Sequence, residues 1–209
     1  MARLSKKALD GPTLQVAHRL IGSKLVRVLR GERLAGRIIE VEAYGAFSDP
    51  ASHAYIGETA KNRVMYLSAG RAYVYFTYGF HYCLNVVTEP PGVPAAVLIR
   101  GLEPLEGLNT MKKLRKSNST GVLCSGPGRV TQALAIDAGF NGLDMINSET
   151  LFLETGPDSP VVRTKRVGVS AGEERLWRFV ENQRGRSEDG RAERAYITRR
   201  KPVTHGVVG

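Results

Sequence analysis

The sequence predicts a single compact domain of mixed α/β (α+β) type, rich in antiparallel strands. Its 209 residues suit one domain, and 42% hydrophobic content is enough to fill a core. Strand-length apolar runs recur along the chain, joined by turn residues and interspersed with short helical segments. No internal repeat interrupts the pattern, and no linker precedes residue 182.

Taken in order, residues 13–22 read as a short helix. Thr13 is placed as its cap, Leu14, Ala17, Leu20 and Ile21 form its apolar stripe, and Gly22 stops it. Strands at 24–29 and 33–44, joined by a turn at Gly31 and Glu32, make a hairpin. Residues 45–63 hold Gly45, Pro50 and Gly57 with little periodicity, so they read as a loop. Strands follow at 71–78, 82–88 and 95–102, the last carrying an apolar Ala-Ala-Val-Leu-Ile run. A helix is expected at 105–115, a loop at 121–128 and a second helix at 129–136. Late strands are expected at 151–154 and within 161–169. Beyond Asn182 the chain turns polar, with seven Lys/Arg against three acids between 184 and 201. The expected division is a domain at 1–182 and a basic C-terminal tail at 183–209.

Composition narrows the function. Thirty Lys/Arg against twenty acids give a net charge of +10 and a pI of about 9.9. That balance fits a nucleic-acid partner, though a basic enzyme of another kind shares it. Within Arg71–Asn85 lie four of the chain's eight tyrosines. Tyr73 and Tyr75 alternate onto one face of a strand, and Tyr78 stands at the lip of a turn at Gly79. Flat rings beside positive charge suit stacked bases. Cys83 and Cys124 have neither zinc nor disulfide spacing and read as buried free thiols. No signal peptide is evident and no apolar run approaches membrane-spanning length. The expectation is a soluble intracellular monomer with no membrane partner, in the cytoplasm or nucleoid of a prokaryote or the nucleus of a eukaryote. No cofactor and no metal is implied, because no ligand cluster is present.

Glu40, Glu42 and Tyr44 share one face of the 33–44 strand. Carboxylates at i and i+2 lie roughly 6.5–7 Å apart. If buried, one of them can serve as a general base; the plainer alternative is pairing with the abundant arginines. His53, in a loop beside Asp49 and Pro50, is by itself an ordinary polar loop residue.

Combined in order, these segments point further. Glu42-Ala-Tyr44, His53, Tyr73-Val-Tyr75, Tyr78-Gly79, Asn85 and Val97–Pro104 together resemble the alkyladenine (3-methyladenine) DNA glycosylase family. The block from Leu123 to Ile136 and Arg166-Val-Gly-Val169 are similar too, so the resemblance spans about residues 10 to 180. It implies a barrel-like antiparallel sheet core surrounded by short helices. It also implies double-stranded DNA containing damaged purines as partner, and a monofunctional hydrolase that flips the lesion from the stack. In that reading Glu42 is the general base, and Arg100 and the carbonyl of Val167 hold its water. Tyr44, His53 and Tyr75 sandwich the base, and Asn85 excludes guanine by clashing with its exocyclic amine. Tyr78 is the intercalating wedge, with Leu98 on the DNA surface near it. Substrates would include 3-methyladenine, 7-methylguanine, hypoxanthine and ethenoadenine.

The chain departs from the family pattern beside the pocket. Glu58-Thr-Ala-Lys61-Asn62 stands where Thr-Pro-Arg-Asn is common, Leu67–Gly70 replaces a Gly-Pro-Pro-Gly turn, and Phe80 stands where methionine is common. Gly126-Pro-Gly128 reads equally as a phosphate cradle and as a plain turn. The Lys112–Lys116 run reads as a solvated face or a backbone contact. Two rivals are a module that stacks bases without chemistry and a hydrolase acting on RNA or free nucleosides.

Overall fold

A computed structural model describes residues 2–77, 79 and 81–182. Tyr78, Phe80 and the 183–209 tail lie outside the described residues.

Helix α1 (Lys6–Leu9) leads into α2 (Thr13–Leu20), and strands β1 (Lys24–Leu29) and β2 (Glu32–Tyr44) form the first hairpin. Its turn is at Arg30 and Gly31, with φ of 52° and 83°, one residue earlier than expected. Two successive positive φ values give the twist that matches paired strands. β3 (Ala72–Thr77), β4 (His81–Val87) and β5 (Ala96–Glu106) follow, then helices α3 (Leu108–Arg115) and α4 (Pro127–Ala133). β6 (Leu151–Glu154), β7 (Val161–Thr164) and β8 (Arg178–Glu181) are the remaining described strands.

Among the described residues these strands form one eight-stranded sheet in the order β3-β4-β5-β2-β1-β6, with β8 branching from β2 and β7 from β8. Every pairing is antiparallel. The sheet curls into a half-barrel with a few short helices about it. β2 is the spine. It lies along β5 on one edge and shares the other between β1, at 32–37, and β8, at 40–42. Arg37, buried in mid-strand, pairs with Glu103 of β5 and Glu181 of β8 and ties the three strands together.

Two irregularities in the β2–β5 ladder matter for the site. Ile38 faces Leu102, Glu40 faces Gly101 and Val41 faces Ile99, so Ile39 and Arg100 are each an extra residue in their strands. Such bulges bend a sheet and re-aim the bulged side chain.

The main core joins the inner face of the sheet, including Leu25, Ile38, Val41, Val86 and Ile99, to Val16 and Leu20 of α2, Met111 of α3 and Val130 of α4. A separate small cluster of Ala54, Met65, Tyr73, Val87 and Ala96 anchors the 45–66 loop against β3 and β5. No helix among the described residues is long and apolar enough to cross a membrane.

Several expectations shift. Thr13 opens α2 rather than capping it; its N–H and hydroxyl both donate to Glu89 Oε1, at 2.7 and 2.8 Å. A carboxylate from a distant loop therefore satisfies the helix start. β5 continues through the stretch expected to begin a helix, because Pro104 and Glu106 pair with Gly36 and Ala35. The chain turns at Gly107, φ 74°, where a Cβ would come within 2.2 Å of Leu34. Only glycine fits there. The last helix spans Pro127–Ala133 rather than 129–136, and only Val161–Thr164 of the 161–169 stretch is strand. α1 and β8 were not expected; β8 is strand through its pairing with β2 and β7.

Candidate active site

Glu42 lies in the middle of β2, opposite Leu98 of β5 and Arg178 of β8, and is 0% exposed. A carboxylate taken so fully from water must have its oxygens satisfied. Oε1 accepts the backbone N–H of Val167 at 2.8 Å. Oε2 accepts the Tyr44 hydroxyl at 2.9 Å and Arg100 Nη1 at 3.1 Å. Glu40 sits two residues earlier on the same face, where its Oε1 accepts Arg100 Nε at 3.0 Å and Arg178 Nε at 2.8 Å.

The arginine fork thus bridges both carboxylates, and the bulge at Arg100 is what turns it there. Both carboxylates pair with arginine, as the plainer of the two readings expects, and Glu42 stays placed for the other. Burial alone would raise the Glu40 carboxyl, but Arg100 and Arg178 outweigh it and hold it below its usual range. Burial opposes the Arg100 cation, yet Glu42 and Glu40 hold its pKa above the ordinary value. The Tyr44 phenol is pushed up by burial and by Glu42, so it is a neutral donor.

In front of this cluster opens a cavity of about 690 Å³. Tyr44, His53, Tyr75, Asn85, Leu98, Arg100 and Val167 all border it, so residues spread from 44 to 167 meet at one place. The His53 and Tyr75 rings meet edge-on at 4.6 Å between centroids, and Tyr73 lies 5.3 Å from Tyr75. Alternation along β3 puts both tyrosines on the cavity side, as the spacing predicts. His53 Nδ1 is 2.8 Å from the Tyr73 hydroxyl. Burial, then the Lys61 charge, lower the His53 pKa, which favours a neutral imidazole. Asn85 faces Tyr73 across the β3–β4 ladder and donates Nδ2 to the Tyr73 carbonyl at 3.0 Å, which fixes its amide.

One expectation needs correction. Leu98 is 3% exposed, flanked by Glu42 on one side and Asn85 on the other. A residue in a central strand cannot reach a DNA surface; it lines the cavity instead. At Val167 the N–H donates to Glu42 Oε1, a contact separate from the one expected between its carbonyl and a water.

The sequence reading missed what holds Val167 in place. Arg166, one residue earlier, forms a two-pronged pair with Asp49: Nη1 to Oδ2 at 2.6 Å and Nη2 to Oδ1 at 2.8 Å. Both side chains are 0% exposed. Arg166 Nη1 also donates to the Ala43 carbonyl at 3.1 Å, and its guanidinium lies 4.8 Å over the Tyr44 ring. Asp49 Oδ2 accepts the Gly45 N–H at 3.0 Å, so one pair pins the loop after β2 to the loop that carries Val167. Burial would raise the Asp49 carboxyl, but Arg166 and the Gly45 and Ala51 amides hold it down. In the sequence Asp49 registered only as a neighbour of His53, and nothing local links it to a residue 117 positions away.

Elsewhere, Pro127 borders the cavity, and a Cβ on Gly128 would come within 2.6 Å of the His81 ring, so packing alone requires that glycine. Cys83 and Cys124 are free and buried as expected, with burial pushing the Cys124 thiol up to about 12. Among the described residues no group of three or more His, Cys, Asp or Glu is placed to hold a metal ion.

Comparison with known proteins points to one family. Residues 7–185 match the family model described as methylpurine-DNA glycosylase. A relative from Carboxydothermus hydrogenoformans is 47% identical over 169 residues, 79% of this chain and 88% of its own length. One from Methanocella arvoryzae is 47% identical over 186 residues, 87% and 93% respectively. A third, from Chlorobium phaeobacteroides, is 44% identical over 182 residues, 85% and 92%. All three carry the provisional name 3-methyladenine DNA glycosylase.

Proposed function

The chain belongs to the methylpurine-DNA glycosylase family, DNA-repair hydrolases of the N-glycosidic bond, and we propose that it takes alkylated or deaminated purines from duplex DNA with Glu42 as general base. Its substrates are 3-methyladenine, the base in its relatives' names, and 7-methylguanine, both cationic in DNA, together with hypoxanthine and ethenoadenine, neutral bases that take up a proton from solvent as they leave. It works as a monomer and leaves an abasic site.

The observation that carries this reading is the placement of a fully buried carboxylate directly behind a cavity walled by aromatic rings. About 690 Å³ falls within the range of small-molecule sites, roughly 300–1,000 Å³, and admits a purine. The base enters between Tyr44 on one side and Tyr75 with His53 on the other. Their π faces attract a methylated, cationic purine more than a neutral one. Asn85, its amide fixed by the Tyr73 carbonyl, meets the exocyclic amine of guanine and penalises it; 7-methylguanine bears the same penalty but offsets it through the positive charge that favours its stacking and departure. Tyr78 fills the space that the flipped nucleotide vacates; this assignment rests on the family resemblance.

Each carboxylate oxygen can accept about two hydrogen bonds. Oε2 already has two donors, Tyr44 and Arg100, whereas Oε1 has only the Val167 N–H. Oε1 is therefore the oxygen left to orient a water at C1′ of the deoxyribose. As the C–N bond breaks, positive charge develops on the sugar and Glu42 stabilises it. The bonding electrons leave with the base, which a methylated purine accepts readily because it is already cationic.

Single-turnover base release from duplexes carrying each lesion tests the reading, with wild type and Glu42→Gln in parallel. Removing general-base assistance should lower release by about 10²–10⁴. A variant within a few-fold of wild type would remove Glu42 from that role. Duplex binding without release of any lesion by wild type would leave a base-stacking module.

A further inference from the structure

Tyr55 and Ile56 border the cavity yet face solvent, 52% and 82% exposed. A single exposed isoleucine is ordinary on a protein surface. What sets this one apart is the support beneath it. Asn62, 1% exposed, donates its side-chain amide to the carbonyls of His53 and Gly57, both at 2.8 Å, and accepts the Thr59 N–H at 2.7 Å. Both feet of the 53–57 turn are therefore stapled by one buried side chain. Within the turn, the Gly57 N–H closes on the Ala54 carbonyl at 3.0 Å, and Gly57 takes φ +94°. Ala54 is fully buried in the small core cluster with Met65 and Tyr73, which fixes the turn to the same scaffold that presents the tyrosines. The crest is thus a rigid apolar point at the rim of the base cavity. Ile56 is β-branched and loses little side-chain freedom on contact.

We propose that Ile56, with Tyr55 beside it, is an apolar wedge that enters the base step next to the flipped nucleotide in duplex DNA. The proposal rests on the glycosylase reading of the cavity. Apolar side chains inserted at a base step unstack it and bend the duplex, which opens the path for a base to leave. The occupant is duplex DNA rather than a protein for two reasons. The crest is continuous with a cavity that admits a purine, and the chain's net charge of +10 complements a polyanion. Lys61, four residues beyond the turn, borders the same cavity and lies 5.7 Å from the Tyr75 ring centroid. It puts a cation on the rim beside the crest.

The test uses the full-length protein with Ile56→Ser and Ile56→Leu. Two duplexes serve: one with a cleavable lesion, and one with a non-cleavable abasic analogue flanked by 2-aminopurine, whose fluorescence rises on unstacking. Wild type should raise that fluorescence on binding, Ile56→Ser should lose most of the rise, and Ile56→Leu should keep it. Duplex kcat/KM should fall about ten-fold in Ile56→Ser, the size of losing one apolar contact. Release from single-stranded DNA with the same lesion should hold within about two-fold, since no intact stack is present to open. Unchanged fluorescence and duplex release in Ile56→Ser would overturn the wedge, as would equal losses on duplex and single strand. Failure of the glycosylase reading shows separately, as absence of release by wild type. Ile56 is too exposed for either substitution to disturb folding.

Discussion

Asp49→Asn isolates the pair that carries Val167. The substitution keeps size and shape but removes the charge from a site where both partners are 0% exposed. It also creates a donor conflict. Oδ1 accepts Ala51 N–H at 3.3 Å and Arg166 Nη2, while Oδ2 accepts Gly45 N–H and Arg166 Nη1. Whichever way the amide is turned, its NH₂ faces a backbone N–H and a guanidinium nitrogen together. Arg166 is left as a buried charge without its counter-ion, a loss of about 3–5 kcal/mol. For a domain of this length each kcal/mol lowers Tm by about 2–4 °C, so a fall of about 6–20 °C is expected. Thermal melts followed by circular dichroism at neutral pH measure it. Base release well below the new Tm should also fall, because the loop carrying the Val167 N–H is no longer held against Glu42 Oε1. A melt within about 2 °C of wild type would refute the reasoning, since the pair would then add nothing beyond shape. The pH dependence has a definite sign. A carboxyl lowered in the folded state stabilises fully above its unfolded pKa, about 3.9, and that stability disappears as pH falls through the folded value. The variant's deficit should therefore narrow in acid.

Asn85→Ala removes the fixed amide from the cavity, so release of undamaged guanine from duplex DNA should rise by about ten-fold or more. Unchanged guanine release would mean that discrimination lies elsewhere. His53 should titrate by NMR below its ordinary value of about 6.5, because burial and Lys61 both disfavour the cation. Lys61→Met should raise the midpoint only in part, since burial remains. Here the unfolded chain binds the proton more readily than the folded one, so His53 leaves stability intact above about pH 6.5 and subtracts from it as pH falls toward the folded value. A midpoint at or above 6.5 would contradict the burial of the ring.

Much of the site was legible before any coordinates, for physical reasons confined to short stretches of chain. Alternation sets Glu40, Glu42 and Tyr44 on one face, and Tyr73 and Tyr75 on another, because side chains in a strand repeat every two residues. The turn glycines were legible because their conformations exclude other residues. What escaped depended on which distant segments approach one another. Thr13 looked like a cap until Glu89 took its N–H. The segment from Leu102 to Glu106 looked helical in part until its pairing with β2 kept it extended. Leu98 looked available to DNA until β2 and β4 enclosed it. The bulge that turns Arg100 onto two carboxylates exists only in the register between two strands. The Arg166–Asp49 pair, which sets Val167 on Glu42, exists only once two loops 117 residues apart are brought together. By itself the sequence determined the types of chemistry present and the local faces that carry them. The tertiary structure decided their partners, because burial and hydrogen bonding between far segments have no local signature in the chain.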